Sequence, residues 1–449
     1  MNKAEVKIRI EKLKQEINHH RYLYHVLDKA EISDAVLDSL KNELSKLEME
    51  NPEFITPDSP TQRIGGQPLD KFEKVKHSQP MISLFDAFSV ADIQDWEKRI
   101  SKLVPGEKLD YYCELKLDGL AMALKYVAGV FTVGATRGDG KIGENVTQNL
   151  KTIESIPLQL RTPSQDELKK IGLDNKQIAK IHQALAEGAI EVRGEAIMTT
   201  KVLNELNKKY LKEGKPILAN PRNAAAGSIR QLDPKLTAER KLDFYVYALA
   251  NDFGFSKHSD TFLLLQLLGF KILRHNQYCA DIKEVINFHN HWEKNRDKLP
   301  FEVDGIVVKV NKLKLWQKLG VVGKGPRFMM AYKFSAEQAT TKIVEVIWQV
   351  GRTGILTPIA VLEPVRVSGV TISHATLHNM DEITRLGLKT GDTVILERAG
   401  DVIPKVVQVL PNLRTGKEQK IKVPTHCPRC NSKVIKVPGE VAYRCANAG

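Results

Sequence analysis

No run of 18 apolar residues occurs in the chain, so no segment is expected to cross a bilayer as a helix. No signal peptide is expected either, because the N-terminus opens directly into a charged helical pattern. Internal repeats and low-complexity tracts are missing, which excludes repeat architectures. Acidic residues are in deficit: 54 Asp plus Glu against 67 Lys plus Arg leave a net charge of +13. That surplus favours nucleic acid or another polyanion as partner. Cysteine is scarce, at five residues. Three of them, Cys427, Cys430 and Cys445, are spaced C-x2-C-x14-C, which in a cytoplasmic chain points to zinc before disulfides. At 449 residues there is room for about three domains. The expectation is a cytoplasmic monomer with no membrane partner.

What is present is organised around Tyr111–Tyr126, YYCELKLDGLAMALKY. Its alternation sends Cys113, Leu115 and Leu117 one way, and Glu114 and Lys116 the other. Asp118-Gly119 reads as a tight turn and Leu120–Tyr126 as a second strand. A hairpin is therefore expected, with Glu114, Lys116 and Asp118 gathered near its turn.

Before it, Val6, Ile10, Leu13 and Ile17 recur at helical spacing over residues 1–26. A second helix is expected from an N-cap at Ser33 or Asp34 to Pro52, with the stripe Leu37, Leu40, Leu44 and Leu47. Residues 53–90 form a Pro-rich connector. After the central stretch, Val130–Thr136 reads as a third strand. Gly138, Gly140 and Gly143 match G-x-G-x-x-G formally, but the chain continues into RTPSQDE, a loop composition, so a dinucleotide-binding βαβ unit is rejected. Residues 163–190 suggest a surface helix pair with Ile178, Ile181 and Leu185 on one side and no evident function. A strand at 191–198 and a helix from Thr200 to Leu211 follow. Arg222 and Arg230, eight apart, would share one side of a continuous helix. In Glu302–Asn311, Ile306, Val308 and Val310 would face a core, with Lys309 opposite. Lys333 lies in a second apolar strand; a lysine there is rare unless paired or functional. From Thr341 to about Leu410, short strands between Gly and Pro turns suit a small barrel.

Lys116-Leu117-Asp118-Gly119 resembles the KxDG signature of covalent nucleotidyltransferases, and the flanking motifs are similar to those of bacterial NAD-dependent DNA ligases from His19 to Cys445. The resemblance implies an α+β chain. A helical NMN-binding unit would span 1–70 and an antiparallel-sheet nucleotidyltransferase (adenylation) domain 71–318. An OB-fold β-barrel would span 319–410 and a partial zinc finger 411–449. It implies that Lys116 is the catalytic lysine that carries AMP. Tyr24, His25, Asp34 and Asp38 fall on the positions that grip the nicotinamide mononucleotide (NMN) half of NAD. Ser83, Leu84, Glu114, Asp118, Gly119, Arg137, Glu195, Tyr247, Lys309 and Lys333 fall on positions around the adenylate. Among these, Glu195 matches the sugar contact and Tyr247 the ring stacked on adenine. Arg222, Arg230, Arg327 and Arg352 fall on the DNA side, and the three cysteines on the zinc ligands.

The implied reaction seals 5′-phosphate/3′-hydroxyl nicks in duplex DNA. It uses NAD, Mg²⁺ (or Mn²⁺) and structural Zn²⁺. A lysine amine is protonated at neutral pH, so burial and nearby cations, Lys309 and Lys333 among them, are expected to lower the Lys116 pKa. Asp304 and Glu195 are the candidates to hold metal or sugar.

Three departures from the family pattern stand out. Leu37 replaces a tyrosine that stacks on nicotinamide. SLFDAF replaces a motif close to SLDNAF, with Phe85 and Asp86 differing. The zinc module's fourth cysteine, expected shortly after Cys445, a helix-hairpin-helix domain and a BRCT domain do not occur in the sequence, which suggests a truncation. An ATP- or GTP-using relative is disfavoured by Tyr24, His25 and Asp34, and a non-catalytic DNA-binding module by Lys116, Lys309 and Lys333.

Overall fold

The computed structural model describes residues 2–63, 70–323, 325–335, 337–351, 353–367, 370–398, 404–436 and 442–447. The chain divides into two compact units, Met1–Phe334 and Ser335–Gly449.

The first unit opens with two antiparallel helices. Helix α1 (Lys3–His25) starts on a capping box between Asn2 and Glu5, and α2 (Asp34–Glu50) on Ser33, whose hydroxyl accepts from the Val36 amide. Val6, Ile10, Leu13 and Ile17 close on Leu44, and Leu37, Leu40 and Leu47 pack half-buried beside them. Leu37 is thus part of this small core. The pair is bolted to the rest of the unit by two buried arginines. Arg63 donates to the carbonyls of Lys151, Ile153 and Ile156, and Arg21 pairs with Glu154.

Two sheets follow. Helix α3 (Val90–Leu103) precedes β1 (Tyr111–Leu117), β2 (Leu120–Val127) and β3 (Val130–Thr136). Helix α4 (Asn175–Ala186) leads into β4 (Ala189–Ile197), α5 (Pro221–Ile229), β5 (Asp243–Leu249), α6 (His258–Leu267) and α7 (Ile282–Asn295). Strands β6 (Val303–Val310) and β7 (Met329–Lys333) end the unit. One sheet runs Asp86–Ala87, β7, β6, β1, Gln277–Cys279; the other runs β3, β2, β4, β5.

The expected hairpin is therefore absent. Strands β1 and β2 belong to different sheets, and the chain crosses between them at Asp118-Gly119. The Asp118 amide stays with the first sheet, donating to the Glu302 carbonyl, while Leu120 already pairs with Ala196 in the second. Gly119 does not have the positive φ of a turn glycine. It is required because a Cβ there would lie 2.4 Å from the Ala196 oxygen. Gly119→Ala should accordingly destabilise the unit by about 2 kcal/mol or more, read as a fall in the urea midpoint. An unchanged midpoint would contradict this close approach.

The alternation in β1 is as expected. Cys113, Leu115 and Leu117 pack with Ile306, Val308 and Val310 and with helices α3 and α7. The second sheet has its own core around Leu124, Tyr126, Val192 and Phe244. The helix pair within 163–190 exists, as Gln165–Lys170 and α4, and lies on the surface with one face in that core through Leu168, Ile178, Ile181 and Leu185. No βαβ dinucleotide unit forms around Gly138–Gly143; Ile142–Glu144 pairs with Lys74–Lys76 instead.

The second unit is a barrel. Strands β8 (Glu337–Val350), β9 (Ile355–Val367), β10 (Val370–Thr376), β11 (Thr393–Arg398) and β12 (Lys405–Val409) run in the order β8-β11-β12-β10-β9, and β8–β9 pairing closes it. Ile343, Leu362, Val394 and Leu396 fill it. The expected boundary at 318/319 falls too early. Residues up to Phe334 stay with the first unit because β7 completes the sheet of β6, Gly305 opposite Lys333. The cysteine-bearing end joins the barrel: Tyr443 and Arg444 pair with Leu356 and Ile355 at the start of β9. Among the described residues, no helix is long and apolar enough to cross a membrane.

Candidate active site

The two sheets of the first unit enclose a cavity of about 1820 Å³. Glu114 and Lys116 project into it from β1, Arg193 and Glu195 from β4, Tyr247 from β5 and Lys309 from β6. Ser83, Leu84, Gly119, Arg137, Arg222 and Arg230 complete much of its wall. The period of two that buries Leu115 and Leu117 is what turns Glu114 and Lys116 toward the cavity.

Two buried carboxylates sort the three lysines. Lys116 Nζ lies 3.1 Å from Asp304 Oδ1 and 3.2 Å from Oδ2. Lys333 Nζ bonds the same Oδ2 at 2.5 Å. Lys309 Nζ is 2.7 Å from Glu114 Oε1, which also meets His258 Nε2 at 2.8 Å. The expectation that Lys309 and Lys333 both converge on Lys116 is corrected accordingly. Lys333 reaches it only through Asp304, and Lys309 is engaged by Glu114.

The electrostatics correct a second expectation. Burial alone would pull the Lys116 ammonium down, but Asp304, Glu195 and Asp118 outweigh it and hold its pKa above the usual lysine value. Burial works against the Asp304 carboxylate, yet Lys116 and Lys333 keep its pKa below the usual range. Burial pushes Glu195 up to about 8 despite Lys116 and Arg222. Burial also opposes the Glu114 carboxylate, and Lys309 and His258 overcome it. The His258 imidazole is held below its usual value by burial and by Lys309, and is neutral.

The other expected residues are scattered. Asp118 accepts from Arg222 at 2.7 Å, and Glu144 accepts from Arg230 at 2.8 Å; both arginines belong to the α5 segment at the cavity wall. Tyr24, His25 and Asp38 do not line the cavity. Tyr24 is half-exposed, and Asp38 lies 3.7 Å from Lys41. His25 is pushed down to about 4 by burial and then by Arg21. The Asp34 side chain and Arg352 lie outside the described residues. Arg327 does not line the cavity either; its Nη1 donates to the Leu319 carbonyl.

Two functional side chains escaped the sequence reading. Arg193 donates to the carbonyls of Gln79 and Pro80 and so pins the segment that carries Ser83 and Leu84. Its signal was legible, since Glu191, Arg193 and Glu195 alternate along β4. His258 gave no local signal: it enters the site only because α6 starts beside β6.

In the second unit, the sulfurs of Cys427, Cys430 and Cys445 lie within 4.8 Å of one another. That convergence fits a thiophilic ion such as zinc. Hydrogen bonding by Ser432 brings the exposed Cys430 thiol down to about 7. His426 bonds Thr425 and is not part of the group. When bound, zinc would tie the Cys427–Cys430 turn to the short strand at 443–445, and Val434 and Tyr443 beside them pack with Trp348, Val350 and Leu356.

Comparison with known families matches four segments. Residues 69–173 and 168–337 match the NAD-dependent DNA ligase adenylation domain, and 340–418 its OB-fold domain. Residues 3–65 match the DNA ligase-like N-terminal NAD+-binding domain, and 426–449 the NAD-dependent DNA ligase C4 zinc finger domain. Among curated relatives, the DNA ligase of Koribacter versatilis is 46% identical over 441 residues, covering 98% of this chain and 63% of that one. The DNA ligase of Bacillus cytotoxicus is 46% identical over 449 residues, covering 100% and 64%. The chain thus spans slightly under two thirds of the length of these relatives.

Proposed function

Because the chain belongs to the NAD-dependent DNA ligase family, we propose that it seals 5′-phosphate/3′-hydroxyl nicks in duplex DNA through a lysyl-AMP intermediate. The observation that carries this reading is Lys116, set at the cavity between two sheets and tied through Asp304 to Lys333. In the first step the Lys116 Nζ lone pair attacks the α-phosphorus of NAD. A P–N bond forms, the P–O bond to nicotinamide mononucleotide breaks, and that mononucleotide leaves. The amine must first lose a proton, and the Asp304 carboxylate 3.1 Å away holds and orients it. Lys333 supplies fixed positive charge for the phosphate oxygens. AMP then passes to the 5′-phosphate of the nick, with P–N cleavage and P–O formation. Finally the 3′-hydroxyl displaces AMP and joins the strands.

Asp304, anionic, fits a divalent cation such as Mg²⁺, which when bound would add positive charge beside the α-phosphate. Glu195 is assigned to the ribose hydroxyls on the resemblance, and burial, which raises its pKa, disfavours its anionic form. Tyr247 offers its face to adenine, with Ser83, Leu84, Glu114, Gly119, Arg137 and Lys309 around the nucleotide. Arg222 and Arg230 would exchange their carboxylate partners for DNA phosphates, and Arg327 and Arg352 join them on the resemblance alone. Tyr24, His25 and Asp38 do not line the cavity, so their grip on nicotinamide, like that of Asp34, rests on the resemblance alone. Leu37, packed in the core of that pair, would not replace the stacking ring. The partners are NAD and nicked duplex, met as a monomer in the cytoplasm.

The test is incubation with label in the adenylate of NAD and, separately, of ATP, followed by a denaturing gel. Label from NAD alone should stay on the protein. Label from ATP alone would overturn the NAD assignment.

A further inference from the structure

The proposed lysyl-AMP reading leaves one fully enclosed side chain without a role. The carboxylate of Glu114 can only accept hydrogen bonds, and the ammonium of Lys309 can only donate them. Both are 3% exposed and belong to the cavity wall. Lys309 also donates to the Tyr247 carbonyl, with its Nζ 5.7 Å from the centre of that ring, so the pair stands at the aromatic end of the cavity. An acceptor beside a donor suits the edge of adenine, where an amino group flanks a ring nitrogen. It equally suits the inverted edge of hypoxanthine, an N–H beside a carbonyl, if the base or the two side chains slide sideways. Such a pair discriminates only where its position is fixed.

His258 supplies that fixture. Its Nε2 is 2.8 Å from Glu114 Oε1 and 3.2 Å from Lys309 Nζ. A bare nitrogen facing a carboxylate oxygen at that distance would be repelled, so Nε2 carries the proton and donates to Glu114. The ring is itself immobile. It is 4% exposed, opens α6, and contacts Tyr112, Phe262 and Trp316. Its backbone amide donates to the Asn311 carbonyl at 2.7 Å, two residues beyond Lys309. Thr261 Oγ1 donates to its carbonyl. With Nε2 donating, His258 does not accept from Lys309; it holds Glu114, and Glu114 Oε1 in turn holds Lys309 at 2.7 Å.

We propose that His258 is a positioning residue which fixes Glu114 and Lys309 in the order that accepts an adenine dinucleotide and rejects a hypoxanthine one. The experiment measures protein-nucleotide adduct formation by the full chain from NAD and from nicotinamide hypoxanthine dinucleotide. His258→Ala and His258→Asn should each narrow the NAD preference about tenfold, mainly by raising KM for NAD. The asparagine amide is too short to reach Glu114, so it gives a second lesion should the alanine variant fold poorly. His258→Gln, whose amide N–H can stand where Nε2 stands, should restore most of the preference. A merely structural role would lower both rates together and leave their ratio alone. An unchanged ratio in the alanine and asparagine variants overturns this proposal while leaving the parent reading intact. A wild-type chain that forms no adduct from NAD overturns both.

Discussion

Lys116→Arg should form no lysyl-AMP, a loss of about 10³-fold or more in the first step. The guanidinium keeps the charge that Asp304 pairs with, so the fold should survive. It stays protonated at any working pH, with a pKa above 12, and offers no lone pair to phosphorus. The measurement is the denaturing gel with adenylate-labelled NAD. Sealing of a nick that already carries AMP should be far less affected, because that step does not use the lysine as nucleophile. Label retained on the arginine variant would remove Lys116 from its assigned role.

Asp304→Asn should have the next largest effect, on stability and on chemistry. The carboxylate neutralises two cations, Lys116 and Lys333, in a site where its own side chain is 8% exposed. Removing one charge from a buried pair costs about 3 kcal/mol, because the partner is left uncompensated. The sign with pH follows from the depressed Asp304 pKa. Its contribution is present above the unfolded value of about 3.9 and is lost as pH falls through the lower folded value. The deficit of the variant should therefore be constant near neutrality and shrink in acid. Adenylation should fall at least about 100-fold, since the amine loses the carboxylate that orients it. Matched urea titrations at pH 7 and pH 3, with the adenylation gel, test this. A variant as stable as wild type at pH 7 would mean that the two lysines do not depend on Asp304.

Much of this site was legible before the fold. Strand β3 begins and ends at the expected residues, Ser33 caps α2, and the alternation around Lys116 assigns the right faces. Such features are local, and local sequence encodes them. The hairpin was misread because an Asp-Gly pair is written the same way for a tight turn and for a place where another backbone comes close. Only the Ala196 carbonyl distinguishes the two, and it lies far along the chain. The sorting of lysines between Glu114 and Asp304 depends on the register of β1 against β6, with Lys116 opposite Gly305. No spacing within either segment reveals it. The misplaced boundary has the same cause: Lys333 reads as the start of a barrel until its strand is seen to pair with β6.

The crossing at Asp118-Gly119 also governs when the site can come into being. A hairpin could close within microseconds of its own synthesis. Strand β1 instead waits for Gln277–Cys279 and β6, near the far end of the first unit, while β2 can pair at once with β3. A nascent chain still on the ribosome therefore exposes a lysine strand with no pairing partner until Gln277–Cys279 and then β6 have emerged. Contacts this distant in sequence slow folding and prolong the exposure of unpaired strand edges. Nucleotide-binding competence should thus arrive late and all at once during translation, and shortening the chain ahead of β6 should yield aggregates rather than a smaller, weaker enzyme.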